Sequence, residues 1–220
     1  MNTKRRVFIT GGTGYLGRPL IAALLARGHE VRALVRPGSE NRLPSGCTAI
    51  VGDALHSNSY VSQIAPADTF VQLVGVSHPS PSKAAQFRAI DLASAQGAIN
   101  AAIQSGIQNF VYLSVAHPAP VMKAYIEVRM ECEAMLRQAS MDVTVVRPWY
   151  VLGPGHRWPY FLIPGYWLME RIPMTRDGAR KLGLVTLAQM TRSLVYAIEN
   201  PSSGNRIVEV PEIRTAPVLA

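Results

Sequence analysis

The chain has 220 residues, of which 48% are hydrophobic and 16% are charged, so it is long and apolar enough to bury a globular core. This composition excludes an intrinsically disordered chain and a fibrous repeat. The 22 basic residues outnumber the 14 acidic ones, and the net charge of +8 favours an anionic ligand. We predict one domain over residues 1–220.

The first half of the chain predicts strands that alternate with helices. A β-branched and aromatic run at 7–10 ends in glycines, and apolar residues at helical spacing follow it up to Gly28. Further strands are predicted at 30–35, 48–51 and 70–74, each rich in Val, Ile or Leu without polar alternation. Continuous apolar strands of this kind are typical of a sheet that helices cover on both faces.

The second half continues this alternation. The pattern predicts a helix over 83–105, a strand over 110–114, a helix over about 121–139 and a strand over 143–146. Because parallel neighbouring strands need crossover connections of this length, we predict an α/β fold with a doubly wound parallel sheet.

The composition changes after Pro148. Residues 149–173 are dense in Trp, Tyr, Pro and Gly and show no regular helix or strand periodicity. We interpret residues 149–185 as a small, loop-rich, aromatic-rich cap on the substrate side, within which His156 and Arg157 are candidates to orient a substrate oxygen. Three explanations of its aromatic residues stay open: packing onto the sheet, then an apolar pocket, then an exposed patch against a partner or a membrane.

The C-terminal part predicts one more helix and one more strand. Thr186 and Gln189 have the spacing of a capping box, which opens a helix that runs to Glu199. A closing strand is predicted at 206–210.

The glycine turn at residues 10–17 lies where the first predicted strand meets the first helix. Its glycines satisfy the G-x-G-x-x-G pattern, in which missing side chains let a pyrophosphate approach the backbone N–H groups and the positive end of the helix. A glycine triplet alone can be a tight turn, but this placement favours dinucleotide binding. The candidate residues are Gly11, Gly12, Thr13, Gly14, Tyr15, Leu16 and Gly17.

The second predicted strand ends at Arg36, where NAD-binding proteins carry an acidic residue that accepts from the adenosine ribose 2′-hydroxyl. A cation at this place suits a 2′-phosphate, with Arg42 as a possible second clamp, so the sequence favours NADP(H) over NAD(H). A solvated arginine at a strand end is the alternative explanation.

Four short motifs follow one another along the chain: T-G-x-x-G-x-x-G at 10–17, Val-Gly-Asp at 51–53, Leu-Val-Gly at 73–75 and Val-Val-Arg-Pro at 145–148. Through them the sequence resembles the short-chain dehydrogenase/reductase superfamily, specifically its extended and atypical branches, which include sugar-nucleotide epimerases and NmrA-like NAD(P)-binding proteins. The resemblance implies a Rossmann fold and a dinucleotide cofactor.

The resemblance also implies roles for residues beyond the glycine turn. Asp53 would contact the adenine, Gly75 would lie along the ribose and diphosphate, and Pro148, Tyr150 and Val151 would border the nicotinamide. From the residues alone, Asp53 is equally well explained as a turn residue that bonds to its own local backbone.

The family's reaction centre is a serine at the end of the fifth strand and a Tyr-x-x-x-Lys pair on the next helix. Ser114 and Tyr125 match two of these three positions, whereas Arg129 stands in place of the lysine. Arg129 shares a helical face with Tyr125 and would favour its phenolate form, but its planar fork does not reproduce the point contact of a lysine ammonium with the ribose.

Each catalytic candidate also has a plain structural explanation. Ser114 is explained as a strand-end hydroxyl and Tyr125 as a packed helix residue with a wet hydroxyl. His117 is an alternative acid, because imidazole titrates near neutrality.

Two functions fit the sequence. The first is an NADP(H)-dependent oxidoreductase or epimerase-like enzyme for a small, apolar carbonyl or quinone; only about 70 residues follow Pro148, which disfavours a sugar nucleotide. The second is a non-catalytic NADP(H)-binding redox sensor or an accessory subunit of a larger complex. An oligomer is possible and not established by the sequence.

Other classes of protein are disfavoured. The basic residues are spread from Arg5 to Arg214 without a dense run, so we expect no nucleic-acid partner. Cys47 and Cys132 lack metal-ligand or redox-motif spacing, so we expect no metal site and no disulfide framework. Because no segment has the apolar run of a signal peptide or a membrane span, we expect a cytoplasmic protein.

Overall fold

The computed structural model describes residues 4–154 and 161–218. Its strands are β1 (Arg6–Thr10), β2 (Glu30–Val35), β3 (Thr48–Val51), β4 (Thr69–Gln72), β5 (Asn109–Leu113), β6 (Asp142–Val146), β7 (Tyr150–Leu152), β8 (Leu184–Thr186) and β9 (Asn205–Val208). Its α-helices are α1 (Gly17–Ala26), α2 (Ala84–Gln86), α3 (Ala93–Gln104), α4 (Lys123–Arg137), α5 (Ile163–Met169), α6 (Arg176–Lys181), α7 (Leu187–Glu199) and α8 (Val210–Thr215).

The main sheet has the strand order β3-β2-β1-β4-β5-β6-β9. Every pairing between these neighbours is parallel. The order starts in the middle of the sheet and reverses direction between β1 and β4, which confirms the predicted doubly wound α/β fold of the Rossmann type. At such a reversal the carboxyl ends of the strands leave a crevice, and this crevice positions the candidate site.

Both faces of the sheet are buried, as the continuous apolar strands predict. On one face the rings of Phe8, Phe70 and Phe110 pack in a row, with centroids 5.3 Å and 5.1 Å apart, beneath α3 and α4. On the other face Val7 and Ile9 join the core formed with α1 and α7. Successive side chains of β1 therefore pack into opposite cores, and the buried polar Thr10 at its end is hydrogen-bonded to Gln72.

Most predicted elements occur where the sequence places them, with two differences in the middle of the chain. β4 ends at Gln72, two residues before the predicted end, so residues 73–75 already belong to the loop above the sheet. The helix predicted over 83–105 is interrupted by a π-helical segment, Phe87–Leu92, between α2 and α3. The wider turn buries both Phe87 and Asp91 under α4.

The C-terminal part combines a confirmed helix with a more ordered cap than predicted. The capping box of α7 is present, because Gln189 N–H donates to Thr186 Oγ1 at 3.1 Å and Thr186 N–H donates to Gln189 Oε1 at 2.8 Å. The cap, predicted as loop, contains β7 and β8 as a parallel pair together with α5 and α6. These elements have three to seven residues, too few for a period to be read.

Two further features of the fold are its helix lengths and its clusters of possible metal ligands. None of the helices within 4–154 and 161–218 has the length and apolarity that crossing a membrane requires. The same residues contain no cluster of His, Cys, Asp and Glu side chains that would hold a metal ion. His156 and Arg157 lie outside the described residues.

Candidate functional site

The glycine turn connects β1 to α1 with little space between backbone segments. Gly11 has a φ of +76°, which L side chains rarely adopt, and its carbonyl accepts the Gly14 N–H at 3.0 Å. A Cβ on Gly12 would lie 2.9 Å from the Ala33 Cβ, and one on Gly17 would strike the Gly11 carbonyl oxygen. Glycine at these positions therefore lets α1 start close against the sheet and the backbone of the turn.

A cleft of about 510 Å³ lies at this crevice, above the carboxyl ends of β1, β2 and β4. Its wall includes six of the predicted cofactor residues: Gly11, Thr13, Gly14, Arg36, Asp53 and Gly75. Sequence reasoning missed the opposite wall, which is formed by Ser77, Lys83, Gln86 and Ile90. Lys83 Nζ donates to the Ser77 carbonyl at 2.7 Å, so a second cation borders the cleft.

Arg36 and Asp53 line the cleft where β2 and β3 end. Arg36 is exposed immediately after β2. Asp53 Oδ1 accepts the Leu55 N–H at 3.0 Å and Asp53 Oδ2 lies 2.8 Å from His56 Nδ1. These bonds, and the nearby charge of Arg36, lower the pKa of Asp53. Asp53 is thus a turn residue that also faces the cleft, and its contact with an adenine stays a prediction.

The remaining predicted cofactor residues do not form part of the cleft wall in the described residues. Gly12, Tyr15, Leu16 and Gly17 lie in the glycine turn and at the start of α1. The three residues expected at the nicotinamide, Pro148, Tyr150 and Val151, follow β6. The Pro148 carbonyl accepts the Ala116 N–H at 2.8 Å, and the Tyr150 ring lies 5.3 Å from that of Trp149.

The first buried charge network surrounds Ser114. Its Oγ donates to Glu133 Oε1 at 2.6 Å, and Arg147 Nε donates to the same oxygen at 3.0 Å. His117 Nε2 lies 3.5 Å from Glu133 Oε1. Burial opposes the charge on Glu133, but hydrogen bonds from Arg147 and Ser114 outweigh it and lower the pKa of the carboxyl. Burial lowers the pKa of His117, which favours the neutral imidazole.

The second buried charge network surrounds Arg129, which is only 4% exposed. Its Nη2 lies 2.5 Å from Asp91 Oδ1, and its Nη1 donates to the Leu113 carbonyl at 2.8 Å and to the Tyr112 hydroxyl at 3.2 Å. Burial opposes the charge, but Tyr112, Tyr125 and Asp91 raise the pKa of Arg129 well above its usual value. Arg129 is therefore a permanent buried cation.

Arg129 lies between the cleft wall and Tyr125. A Cβ on Gly75 would strike the guanidinium, so this glycine leaves the space that Arg129 fills. On the other side, the guanidinium carbon lies 5.0 Å from the centroid of the half-buried Tyr125 ring. The structure thus brings Tyr125 and Arg129 together, as their spacing predicts, while the Ser114 hydroxyl is directed to Glu133.

Sequence reasoning missed the partners of these side chains. Glu133 follows Arg129 by four residues and so continues the helical face that Tyr125 begins, which is a signal the sequence does contain. Asp91 has no such signal, because it is 38 residues from Arg129 and reaches it through the π-helical segment.

The chain matches a protein family and is similar to several known proteins. The family described as NAD(P)H-binding matches residues 11–157, which include the glycine turn and both charge networks. The chain is 28% identical to the 4-hydroxy-2-methyl-3-oxo-4-farnesyl-3,4-dihydroquinoline-1-oxide ketoreductase of Stigmatella aurantiaca, over 67% of this chain and 51% of that protein. The match therefore spans about half the length of this relative.

Two further comparisons cover nearly the whole chain. The 3-diazoavenalumate denitrifying reductase of a Streptomyces species is 26% identical over 90% of this chain and 74% of that protein. The crystal structure of the Bordetella bronchiseptica enzyme WbmH in complex with NAD+ superposes with a TM-score of 0.70 at 20% identity, covering 96% of this chain and 79% of that one. The structural likeness shows the shared fold.

The lowered pKa of Glu133 predicts acid sensitivity. Glu133 stabilises the fold fully above its ordinary pKa of 4.5, and this stabilisation is lost as the pH falls through the lower pKa of the folded state. We expect the free energy of unfolding, measured by urea titration, to fall less steeply below pH 5 in Glu133→Gln than in the unaltered protein. Glu131→Gln, an exposed change on the same helix, should keep the original slope; equal slopes in all three proteins would contradict the assignment.

The Arg129–Asp91 pair predicts a large effect on stability. Arg129→Met leaves the Asp91 carboxylate buried without a counter-charge, and we expect the free energy of unfolding to fall by about 3–5 kcal/mol. Adding Asp91→Asn should restore part of this loss, because it removes the unpaired charge. Arg88→Met, which breaks the exposed pair with Glu131, serves as the control and should change little. A small effect of Arg129→Met would show that Asp91 finds another partner.

Proposed function

Because the chain belongs to the NAD(P)H-binding family, as its resemblance to the short-chain dehydrogenase/reductase superfamily implies, we propose that it is an NADP(H)-dependent oxidoreductase or epimerase-like enzyme. Its substrate would be a small, apolar carbonyl compound or quinone. The observation that carries the proposal is the cleft at the carboxyl end of the sheet, which has the glycine turn at one wall and Arg36 at the end of β2.

The residues of the cleft fit a dinucleotide. Gly11 and Gly14 leave the backbone of the turn open to a diphosphate, and a Cβ at Gly11 would lie 3.0 Å from the backbone of Leu73. Arg36 would bind the adenosine 2′-phosphate, with Asp53 at the adenine and Gly75 along the ribose and diphosphate. The cofactor would supply hydride chemistry, and the protein would bind and orient it.

The proposed reaction centre is the helical face of α4. Tyr125 would exchange a proton with the substrate oxygen, and the permanent charge of Arg129 beside its ring would favour the phenolate form. Ser114 would polarise the same oxygen, which requires that its hydrogen bond turn from Glu133 to the substrate. Pro148, Tyr150 and Val151 would border the nicotinamide.

The apolar substrate class follows from the cap, which we propose to be residues 149–185 of a single domain over 1–220. The Trp149 and Tyr150 rings lie 5.3 Å apart just after β6, and Tyr166 of the cap lies close to both. Aromatic walls select apolar ligands. The similarity to a ketoreductase and to a reductase supports reduction of such a compound. We propose a cytoplasmic location and no nucleic-acid partner.

A specific observation favours a second candidate, a non-catalytic NADP(H)-binding redox sensor or accessory subunit. Two of the three candidate catalytic groups are engaged within the protein, because Ser114 donates to Glu133 and Arg129 pairs with Asp91. Both networks stabilise the end of the sheet without a substrate. Such a protein would bind the cofactor and turn nothing over.

Substitution of Arg36 tests the proposed preference for NADP(H) over NAD(H). Arg36→Asp replaces a partner for the 2′-phosphate by an acceptor for the 2′-hydroxyl, so we expect NADPH binding to weaken by about 100-fold and the preference to move toward NADH. Titration of both dinucleotides by calorimetry measures the shift. Arg176→Asp makes the same change of charge outside the cleft and should leave the preference as it is. An unchanged ratio in Arg36→Asp would remove the basis for NADP(H).

Removal of one hydroxyl separates the two candidate functions. Tyr125→Phe keeps the ring against Phe87 and Arg129 but removes the proton, so an enzyme should lose turnover by about 100-fold or more while its NADPH affinity stays the same. NADPH consumption is measured with a panel of apolar ketones, aldehydes and quinones. Tyr196→Phe, which removes the same hydroxyl from an exposed tyrosine on α7 outside the cleft, is the matched control and should keep turnover unchanged. NADPH binding without turnover in either the unaltered protein or the variants would favour the sensor or subunit.

A further inference from the structure

Residues 161–174 of the cap, which we term the exposed strip, present apolar side chains that the described part of the chain leaves uncovered. α5 lies within the strip and has no buried residue. Phe161 and Met174 are 88% and 93% exposed, and Trp167 is 58% exposed. The exposed apolar residues are Phe161, Ile163, Trp167, Leu168, Met169, Ile172 and Met174. A contiguous apolar surface with a polar edge marks an interaction site.

Cations accompany this apolar surface. The guanidinium of Arg171 lies over the Trp167 ring, with its central carbon 3.4 Å from the ring centroid. Glu170, the one acidic residue of the strip, is engaged by Arg214 Nη1 at 2.9 Å. Beyond the strip, α6 adds three further basic residues; Arg176 lies 3.8 Å from Asp177 and Lys181 lies 3.7 Å from Glu209, whereas Arg180 is exposed. The strip is therefore apolar, and Arg171 and Arg180 are the cations that carry its positive charge.

We propose that the exposed strip docks the protein on the surface of an anionic lipid bilayer. Tryptophan and long apolar side chains partition into the boundary between headgroups and acyl chains, and guanidinium groups beside them bind the headgroup phosphates. Charge argues against a second copy of this chain as the occupant, because a symmetric contact would bring the same cations face to face. The net charge of +8 adds long-range attraction to an anionic surface.

The strip lies near the proposed substrate site, so docking would bring that site to the membrane. This step rests on the proposed function. Tyr166, in the middle of α5, lies close to Trp149, which is next in sequence to the residues proposed to border the nicotinamide. An apolar ketone or quinone dissolves in the bilayer, so docking through α5 would bring the membrane to the substrate side of the cleft. Lipid binding itself does not depend on the substrate or the cofactor.

Sedimentation of the full chain with vesicles tests the proposal. We expect the chain to bind vesicles that contain roughly 30% phosphatidylserine at least about tenfold more tightly than pure phosphatidylcholine vesicles, and to bind them less at raised ionic strength. The double variant Arg171→Gln/Arg180→Gln should weaken binding roughly fivefold for each arginine. The double variant Trp167→Ser/Met174→Ser should weaken it by about tenfold or more.

The control removes the same kind of side chain elsewhere. Ile103→Ser/Met130→Ser changes two exposed apolar residues outside the strip, on α3 and α4, which are 45% and 47% exposed, and it should leave vesicle binding unchanged. NADPH affinity should be the same in all of these variants, so a failure of lipid binding is distinguishable from a failure of the proposed function. Equal binding to neutral vesicles, no binding at all, or self-association that the Trp167→Ser/Met174→Ser variant abolishes would each overturn the proposal.

Discussion

The buried guanidinium of Arg129 holds the candidate site together. It contacts the end of β5 through the Leu113 carbonyl, the π-helical segment through Asp91, and the Tyr125 ring on its own helix. Asp91 in turn accepts the Val76 N–H at 3.0 Å, directly beside the cleft residue Gly75. The wall of the cleft and the face of α4 are therefore tied to one charge, and a displacement of that charge would move both.

The same contacts explain why residue 129 is arginine, at the position where the short-chain dehydrogenase/reductase superfamily has lysine. A guanidinium offers five N–H donors in a plane, and here a carboxylate, a carbonyl and a phenol surround it. A lysine ammonium would satisfy fewer of these acceptors and would favour an outward position toward solvent or a ligand. Arg129 thus supplies charge to Tyr125 from inside the protein, so any contribution to catalysis is electrostatic rather than by direct contact with a ribose.

The sequence predicts the sheet well and the charge networks poorly, and the reason is the range of the interactions. β2 and β3 have the predicted bounds, because β-branched and aliphatic runs mark a strand in the local composition, most clearly in β2, which is largely buried. Arg36 and the glycine turn were found because a fixed distance along the chain separates them. The ion pairs Arg129–Asp91 and Arg147–Glu133 were not predicted, because a buried ion pair depends on which elements meet in space and leaves no period along the chain.

The cleft and the cap offer two different chemical environments, one cationic and one apolar. The cleft presents backbone N–H groups, Arg36 and Lys83, which suit a polyanion. The cap presents Trp149 and Tyr166 on its inner side and the apolar residues of α5 on its outer side. Since Pro148 leads directly from β6 into the cap, the two environments meet at the end of one strand. The proposed pair of ligands matches this arrangement, because a dinucleotide is a polyanion and the proposed carbonyl compound is apolar.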